Sequence, residues 1–178
     1  MTVKFIDAKE ASKIIEDGST VAIDAFISFC LADDIMGEIE SRFIREGHPR
    51  DLNVINVAGI GGDGKDRGIN HFAHKGLMRR FLCSNLSLAN KVYPLIMDNA
   101  FPCFMIPQGV LSHMMRAIAS GKPGVFTEVG MKTFVDPRVD GGRINDAAKE
   151  CDDIPVQLIN LNGSECLFYP AFSSTWPS

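Results

Sequence analysis

The sequence predicts an α/β fold, an open parallel sheet flanked by helices with an antiparallel hairpin near the C-terminus, on three observations. Strand-sized apolar runs alternate with amphipathic stretches, with Thr20 to Ala25 and Leu52 to Ala58 separated by Ala32 to Glu46, and an α, β, α, β order implies parallel pairing with right-handed crossovers. Phe101 to Pro137 reads as strand, tight turn, helix and loop. Val156 to Leu161 and Ser164 to Tyr169 flank Asn162-Gly163, a dipeptide that accepts the two positive φ angles of a type I′ turn.

In chain order, Asp7-Ala8-Lys9-Glu10 is a capping box with Asp7 as N-cap, and Ala11, Ile14 and Ile15 form the apolar stripe of a first helix that Gly18 ends. Thr20 to Ala25 is β-branched and apolar, the composition of a buried strand. Its exit loop, Phe26-Ile27-Ser28-Phe29-Cys30-Leu31, carries aromatics where polar turn residues are expected. They either fold back onto the core, the reading their apolar character favours, or wall a ligand. Between Ala32 and Glu46, Ile35, Met36, Ile39 and Phe43 form a buried helix face, closed by Gly47. A strand ending at Phe81 to Ser84 and a helix from Leu88 to Asn99 repeat the pattern, with Met78, Tyr93, Leu95, Ile96 and Met97 in the core. Phe101 to Ile106 has the character of a strand buried on both faces, and Pro107-Gln108-Gly109 breaks it. Ligands of open α/β sheets bind at the carboxyl ends of strands, where loops converge and helix N-termini point their positive ends. Gln108 is therefore placed to hydrogen-bond a ligand, although turn chemistry alone favours a solvated side chain. Val110, Leu111, Met114, Met115 and Ile118 recur at helical spacing, with His113 and Arg116 on the other face, until Gly121. Lys122 to Asp146 reads as a long irregular connection, of the kind that in compact domains is functional.

Composition excludes several classes. With 178 residues, 46% hydrophobic and 22% charged, the chain suits one globular domain. A net charge of -4 and a pI near 5.5 argue against nucleic acid or an anionic membrane surface as partner. The longest apolar runs are strand-sized and the N-terminus lacks the apolar core of a signal peptide, so a cytoplasmic protein is expected. Cys30, Cys83, Cys103, Cys151 and Cys166 form no CxxC pair and are expected to be buried free thiols.

Two motifs invite a sharper reading. Gly59 to Lys65 fits GxxxxGK, the opening of a phosphate-binding loop and so of a nucleotide-binding protein. Asp66 stands where that motif needs Ser or Thr for magnesium, and Gly68 and Asn70 delay the helix. A lid or ligand-approach loop containing Gly59, Gly61 and Gly62 is the preferred reading, since glycine lets a backbone come close to a bound group. His71 and His74 share a helix face, but no third ligand stands at a matching spacing, so a surface or packing role is expected and no metal.

The strings DGSTVAIDAF, GHPRDLNVINVAG, GDGKDRGINHFAHKGLMRRF, IPQGVLSHMMRAIASGKPGVFTEVG, FVDPR, GGRIND and ECLFYPAF, in this order and spacing, resemble the N-terminal half of a family I CoA-transferase. The similarity runs from Val3 to Phe172 and points to the propionate, acetate and 3-oxoacid type with both halves on one polypeptide. It implies a CoA-transferase/NagB-like fold. It also implies one alpha-subunit-like domain over residues 1–178, incomplete at its C-terminal end, with coenzyme A as substrate. The partners implied are a complementary C-terminal, beta-like half and further copies in a homo-oligomer. In the reaction implied, a Glu carboxylate attacks an acyl-CoA thioester, passes through an acyl-glutamyl anhydride and holds CoA as a glutamyl thioester until an acceptor carboxylate takes it.

By the same resemblance, Gln108 and Gly109 border the thioester, and Phe26, Ile27, Ser28 and Phe29 line the acyl pocket, where the bulk of Phe29 and Leu31 departs from the family's small residues. The nucleophilic Glu belongs to the C-terminal half. Glu128 does not match its motif, and no catalytic residue is expected in this chain. Two functions follow: a half enzyme that needs its complement, or an inactive truncated or frameshifted remnant. The last residues suit the second, because relatives continue with Ile-Asp-Val-Ala-Leu, and codons for that string read one base over spell Ser174-Thr175-Trp176-Pro177-Ser178.

Overall fold

The computed structural model describes residues 3–61, 66–152 and 155–171; Gly62, Lys65 and the tail from Phe172 to Ser178 lie outside the described residues. Four parallel strands, β1 (Thr20–Ile23), β2 (Leu52–Asn56), β3 (Met78–Cys83) and β4 (Cys103–Met105), form a sheet in the order β1-β2-β3-β4. Register runs Val21↔Val54, Val54↔Phe81 and Phe81↔Cys103. Helices α1 (Ala8–Ser12), α2 (Asp33–Glu46), α3 (Val92–Met97), α4 (Gln108–Ala119) and α5 (Asp146–Lys149), with a 3₁₀ helix at Ile69–Phe72, make the connections.

Burial on both faces follows from the helical crossovers. Val54 of β2 packs in one apolar cluster with Met36 and Ile39 of α2, Phe72 and Ile96, while its neighbour Ile55 packs in another with Val110, Leu111 and Met114 of α4. All five residues of β2 are buried, as a central strand requires. β1 is an edge instead: only Ile23 of its four residues is buried, which corrects the expectation of a buried strand from Thr20 to Ala25.

The hairpin belongs to a second sheet. β5 (Gly124–Thr127), β6 (Gln157–Leu161) and β7 (Ser164–Pro170) pair antiparallel in the order β5-β7-β6. Asn162 and Gly163 have φ of 53° and 87°, the conformation the dipeptide predicts. The irregular connection after Gly121 thus contains a strand, which Gly-Val-Phe-Thr is too short to announce and which exists because β7 offers it an edge.

Capping held while two boundaries moved. Asp7 is the N-cap of α1 and accepts from the Glu10 N–H at 2.7 Å, but the helix ends at Ser12 and leaves Ile14 exposed. The Arg42 guanidinium of α2 donates to the Ser12 and Ile15 carbonyls at 2.8 and 2.9 Å, taking up carbonyls the short helix leaves over. The helix expected from Leu88 to Asn99 spans only Val92 to Met97, and Tyr93 and Met97 are half exposed rather than core, because so short a helix buries one stripe. Cys83 and Cys103 are buried free thiols, but Cys30 is exposed and Cys151 and Cys166 are half-buried. The Cys83 sulfur beside Cys103, together with burial, pushes the Cys103 thiol well up.

Candidate functional site

The carboxyl ends of the parallel strands carry the sequence-predicted residues. Beyond β1, the chain makes a tight turn in which the Phe29 N–H donates to the Phe26 carbonyl at 2.9 Å. Ile27 sits in that turn with φ of 57°, a left-handed conformation that a β-branched residue adopts only under constraint. The constraint is the glycine loop beyond β2. The Ile27 N–H donates to the Gly59 carbonyl at 3.0 Å, the Gly61 N–H to the Ile27 carbonyl at 3.2 Å, and the Ser28 hydroxyl to the Gly61 carbonyl at 3.1 Å. Phe26, Ile27, Ser28 and Phe29 are therefore joined to Gly59 and Gly61 in one layer. Phe26 and Phe29 stand 56% and 70% exposed on it, so they do not fold back onto the core. The turn that pins Ile27 leaves its neighbours pointing away from the sheet.

Gly59 and Gly61 are needed by the protein's own packing. A Cβ on Gly61 would lie 2.5 Å from the Leu88 carbonyl oxygen, and one on Gly59 would lie 3.2 Å from Asn85 Oδ1. The close approach is to the loop beyond β3. Gly61 pairs with Gly68, and the 3₁₀ helix begins only at Ile69. Asp66 is ion-paired with Lys91.

Behind this loop, two carboxylates of α2 hold the segment from Arg67 to His74 that contains the 3₁₀ helix. Asp33 accepts from the Gly68 N–H at 2.7 Å and from Arg67 Nε at 3.2 Å, and lies 3.4 Å from His71 Nε2. Glu40 bridges the two histidines, 2.6 Å from His71 Nδ1 and 2.7 Å from His74 Nε2. Burial pushes both carboxyls up, but the hydrogen bonds outweigh it and both lie below the ordinary carboxylate range. His71 and His74 thus have specific acidic partners rather than a plain surface or packing role; the partners, on α2, are 31 and 34 residues away in sequence. Among the described residues no group of three or more His, Cys, Asp or Glu is arranged to hold a metal ion.

Gln108 is not in a turn. It is the first residue of α4, with Pro107 as N-cap, and Gln108 and Gly109 are exposed at that helix start. A Cβ on Gly109 would meet nothing within 4 Å, so the space over this N-terminus is open. β1 and β4 are opposite edges of the sheet, three strand spacings or about 14 Å apart. The structure therefore joins the Phe26 turn to the glycine loop and leaves Gln108 across the edge from both. Glu128 follows β5 in the antiparallel sheet.

Two polar groups at this edge were missed. Asn56 ends β2 at 1% exposure, and its Oδ1, like the buried Ser84 Oγ just beyond β3, has no hydrogen-bond partner among the described residues. Such orphans are costly and call for a water or ligand. The signal in the sequence is the Asn that interrupts the apolar run Leu52-Asn53-Val54-Ile55-Asn56-Val57-Ala58.

Comparison with known proteins accounts for the arrangement. The coenzyme A transferase family matches residues 5–175. The caffeate CoA-transferase of Acetobacterium woodii is 37% identical over 169 residues, covering 95% of this chain and 32% of that protein. The acetate CoA-transferase YdiF of Escherichia coli K12 is 32% identical over 172 residues, covering 96% and 32%. The crystal structure of the YdiF apoenzyme from Escherichia coli O157:H7 superposes with a TM-score of 0.86 at 30% identity, over 94% of this chain and 32% of that one. A glutaconate CoA-transferase from Acidaminococcus fermentans, 15% identical with a TM-score of 0.63, shares the fold. The chain spans about a third of the length of the curated relatives. With the family matched from end to end of the parallel sheet and its second sheet, the chain belongs to the coenzyme A transferases, as an N-terminal part of the family I type.

Proposed function

We propose that this chain supplies one wall of a CoA-transferase site, moving CoA between a short-chain acyl-CoA and a carboxylate acceptor, with the nucleophilic Glu carried by a complementary C-terminal half. The reading rests on one observation above all: similarity covers 94 to 96% of this chain and 32% of each relative, so the match is to part of a catalytic unit. In the reaction, a Glu carboxylate of the other half adds to the thioester carbonyl and expels CoA thiolate, forming a mixed anhydride. The thiolate then attacks the glutamyl carbonyl and frees the donor carboxylate, and the acceptor carboxylate reverses both steps. This chain's part is to bind and orient. Gln108 and Gly109, at an open helix N-terminus, face the thioester, where the dipole and amide favour developing negative charge. Phe26, Ile27, Ser28 and Phe29, held by Gly59 and Gly61, wall the acyl group.

CoA exchange between propionyl-CoA and acetate tests this. The chain alone is expected to be inactive and to form no glutamyl-CoA adduct, because the covalent route lacks its carboxylate. Addition of a C-terminal half from a relative should produce exchange, and Gln108→Ala should lower that rate. Adduct on the chain alone would overturn the division of labour. Failure of every complement would favour the second reading, an inactive chain, which the bulk of Phe29 in the acyl wall supports.

A further inference from the structure

We propose that the groove between the C-terminal half of α4 and β5 binds a phosphorylated anion. It is an open surface groove of about 430 Å³, lined by His113, Arg116, Ser120, Lys122, Gly124 and Val125. That volume falls in the range of small-ligand sites, about 300–1,000 Å³, and exceeds what a single monatomic counter-ion would fill.

The charge is one-sided. No Asp or Glu occurs between Asp98 and Glu128, so the groove has an imidazole, a guanidinium and an ammonium and no carboxylate in its own segment. No hydrogen bond or ion pair engages these three side chains among the described residues. Arg42, Arg67, Arg138 and Lys149 are each answered by a carboxylate, Glu46, Asp33, Asp136 and Asp146, whereas scattered surface lysines such as Lys13 and Lys75 are not, among the described residues. In a chain of net charge -4, what sets the groove apart is that its three unanswered nitrogenous side chains gather around one concavity.

The remaining wall suits an oxyanion too. β5 is an edge of its sheet, so backbone groups along Gly124 and Val125 that face away from β7 have no partner strand among the described residues. Ser120 turns its hydroxyl back to the Arg116 and Ala117 carbonyls at 2.8 and 3.2 Å and contributes shape rather than a contact. A guanidinium fork beside an ammonium matches phosphate, and the space admits a pyrophosphate or nucleoside diphosphate. The competing explanation is that the negative end of the α4 dipole attracts Arg116 and Lys122 without a ligand. It accounts for cations at a helix end but not for a groove of this size with no carboxylate in its own segment. Arg116 lies eight residues along α4 from Gln108, about 12 Å at 1.5 Å per residue, so the groove is separate from the strand-end site and does not depend on the transferase reading.

Calorimetric titration of the chain with inorganic pyrophosphate, ADP and CoA at low ionic strength decides it. Pyrophosphate is expected to bind, to weaken steeply with added salt, and to lose at least tenfold in affinity in Arg116→Glu/Lys122→Glu. The control Lys13→Glu/Lys75→Glu should keep the parent affinity. Displacement of ADP by CoA would identify the phosphates of CoA as the ligand, and ADP binding without displacement a free nucleotide; both support the site. Absence of pyrophosphate binding, or equal loss in the control, overturns it. Should the double reversal fail to fold, Arg116→Gln/Lys122→Gln must show the same loss. A dipole role alone would lower the melting temperature and leave binding absent.

Discussion

At the scale of single residues, backbone conformation separates positions that composition treats alike. Ile27 holds φ of 57° only because Gly59 and Gly61 pair with it, and left-handed backbone costs an L-residue about 1–2 kcal/mol. Ile27→Gly relieves that cost but gives up the buried part of a side chain that is 43% exposed and adds conformational entropy to the unfolded chain, so stability is expected to fall by about 1 kcal/mol. A higher urea midpoint would show that the strain of the turn outweighs what the side chain contributes. Among the glycines, Gly61→Ala places a methyl 2.5 Å from the Leu88 carbonyl and should cost about 1–3 kcal/mol. Gly109→Ala meets open space in the first turn of α4 and should gain about 0.5–1 kcal/mol. Equal midpoints for these two variants would contradict the close packing of the glycine loop. The sequence marks Gly61 as part of a flexible loop and Gly109 as part of a turn; that Gly61 must lack a Cβ depends on Leu88, 27 positions on.

At the scale of elements, carboxylates tie loops to helices. Glu40 and Asp33 have folded-state pKa values below their ordinary ones, so their contribution is present above the unfolded pKa and is lost as pH falls through the folded value. The clamp between α2 and the 3₁₀ helix should therefore fail on the acid side, below about pH 4. Glu40→Gln is expected to lower stability at pH 7 by about 1–2 kcal/mol and to flatten the fall in stability between pH 5 and 3, read from urea unfolding at each pH. An identical pH slope in parent and variant would remove Glu40 from the account. Asp136 behaves the same way in the loop after β5. Buried at 1% exposure, it accepts from Arg138 Nε at 3.0 Å and from the Lys132 N–H at 2.8 Å, and Arg138 holds its carboxyl well below the usual range. Arg138 also reaches Glu165 of β7 at 2.8 Å, so one guanidinium fastens loop to sheet. Near it, burial and then the Asp136 charge push the Tyr169 hydroxyl up to about 12, and it donates to the Val129 carbonyl at 2.9 Å.

For the whole molecule, what stays uncovered matters as much as what is packed. Phe26 and Phe29 protrude from the strand-end layer, and among the described residues β1 and β5 are edges with one unpaired side. Phe101, just ahead of β4, is buried at 3% exposure and adds nothing to the patch at the Phe26 turn. Exposed apolar surface of this kind drives association. The chain is expected to self-associate at micromolar concentrations in sedimentation velocity, and Phe26→Ser/Phe29→Ser should shift it toward monomer. A parent chain that sediments as a monomer over that range would count against the patch as an interface.

The sequence by itself determined whatever depends on near neighbours: the Asp7 cap, the amphipathic face of α2, the apolar run of β2, the Asn162-Gly163 turn and the family strings that span the chain. These are set by φ preferences, side-chain reach and burial period, which act over a few residues. Only the tertiary structure decided that β1 is an edge, that Gly-Val-Phe-Thr becomes a strand, that Glu40 joins His71 to His74, and that the Phe26 turn rests on Gly59 and Gly61. Each of those is a contact between segments about 30 or more residues apart, and its partner is chosen by how the crossovers stack the sheet rather than by any local pattern.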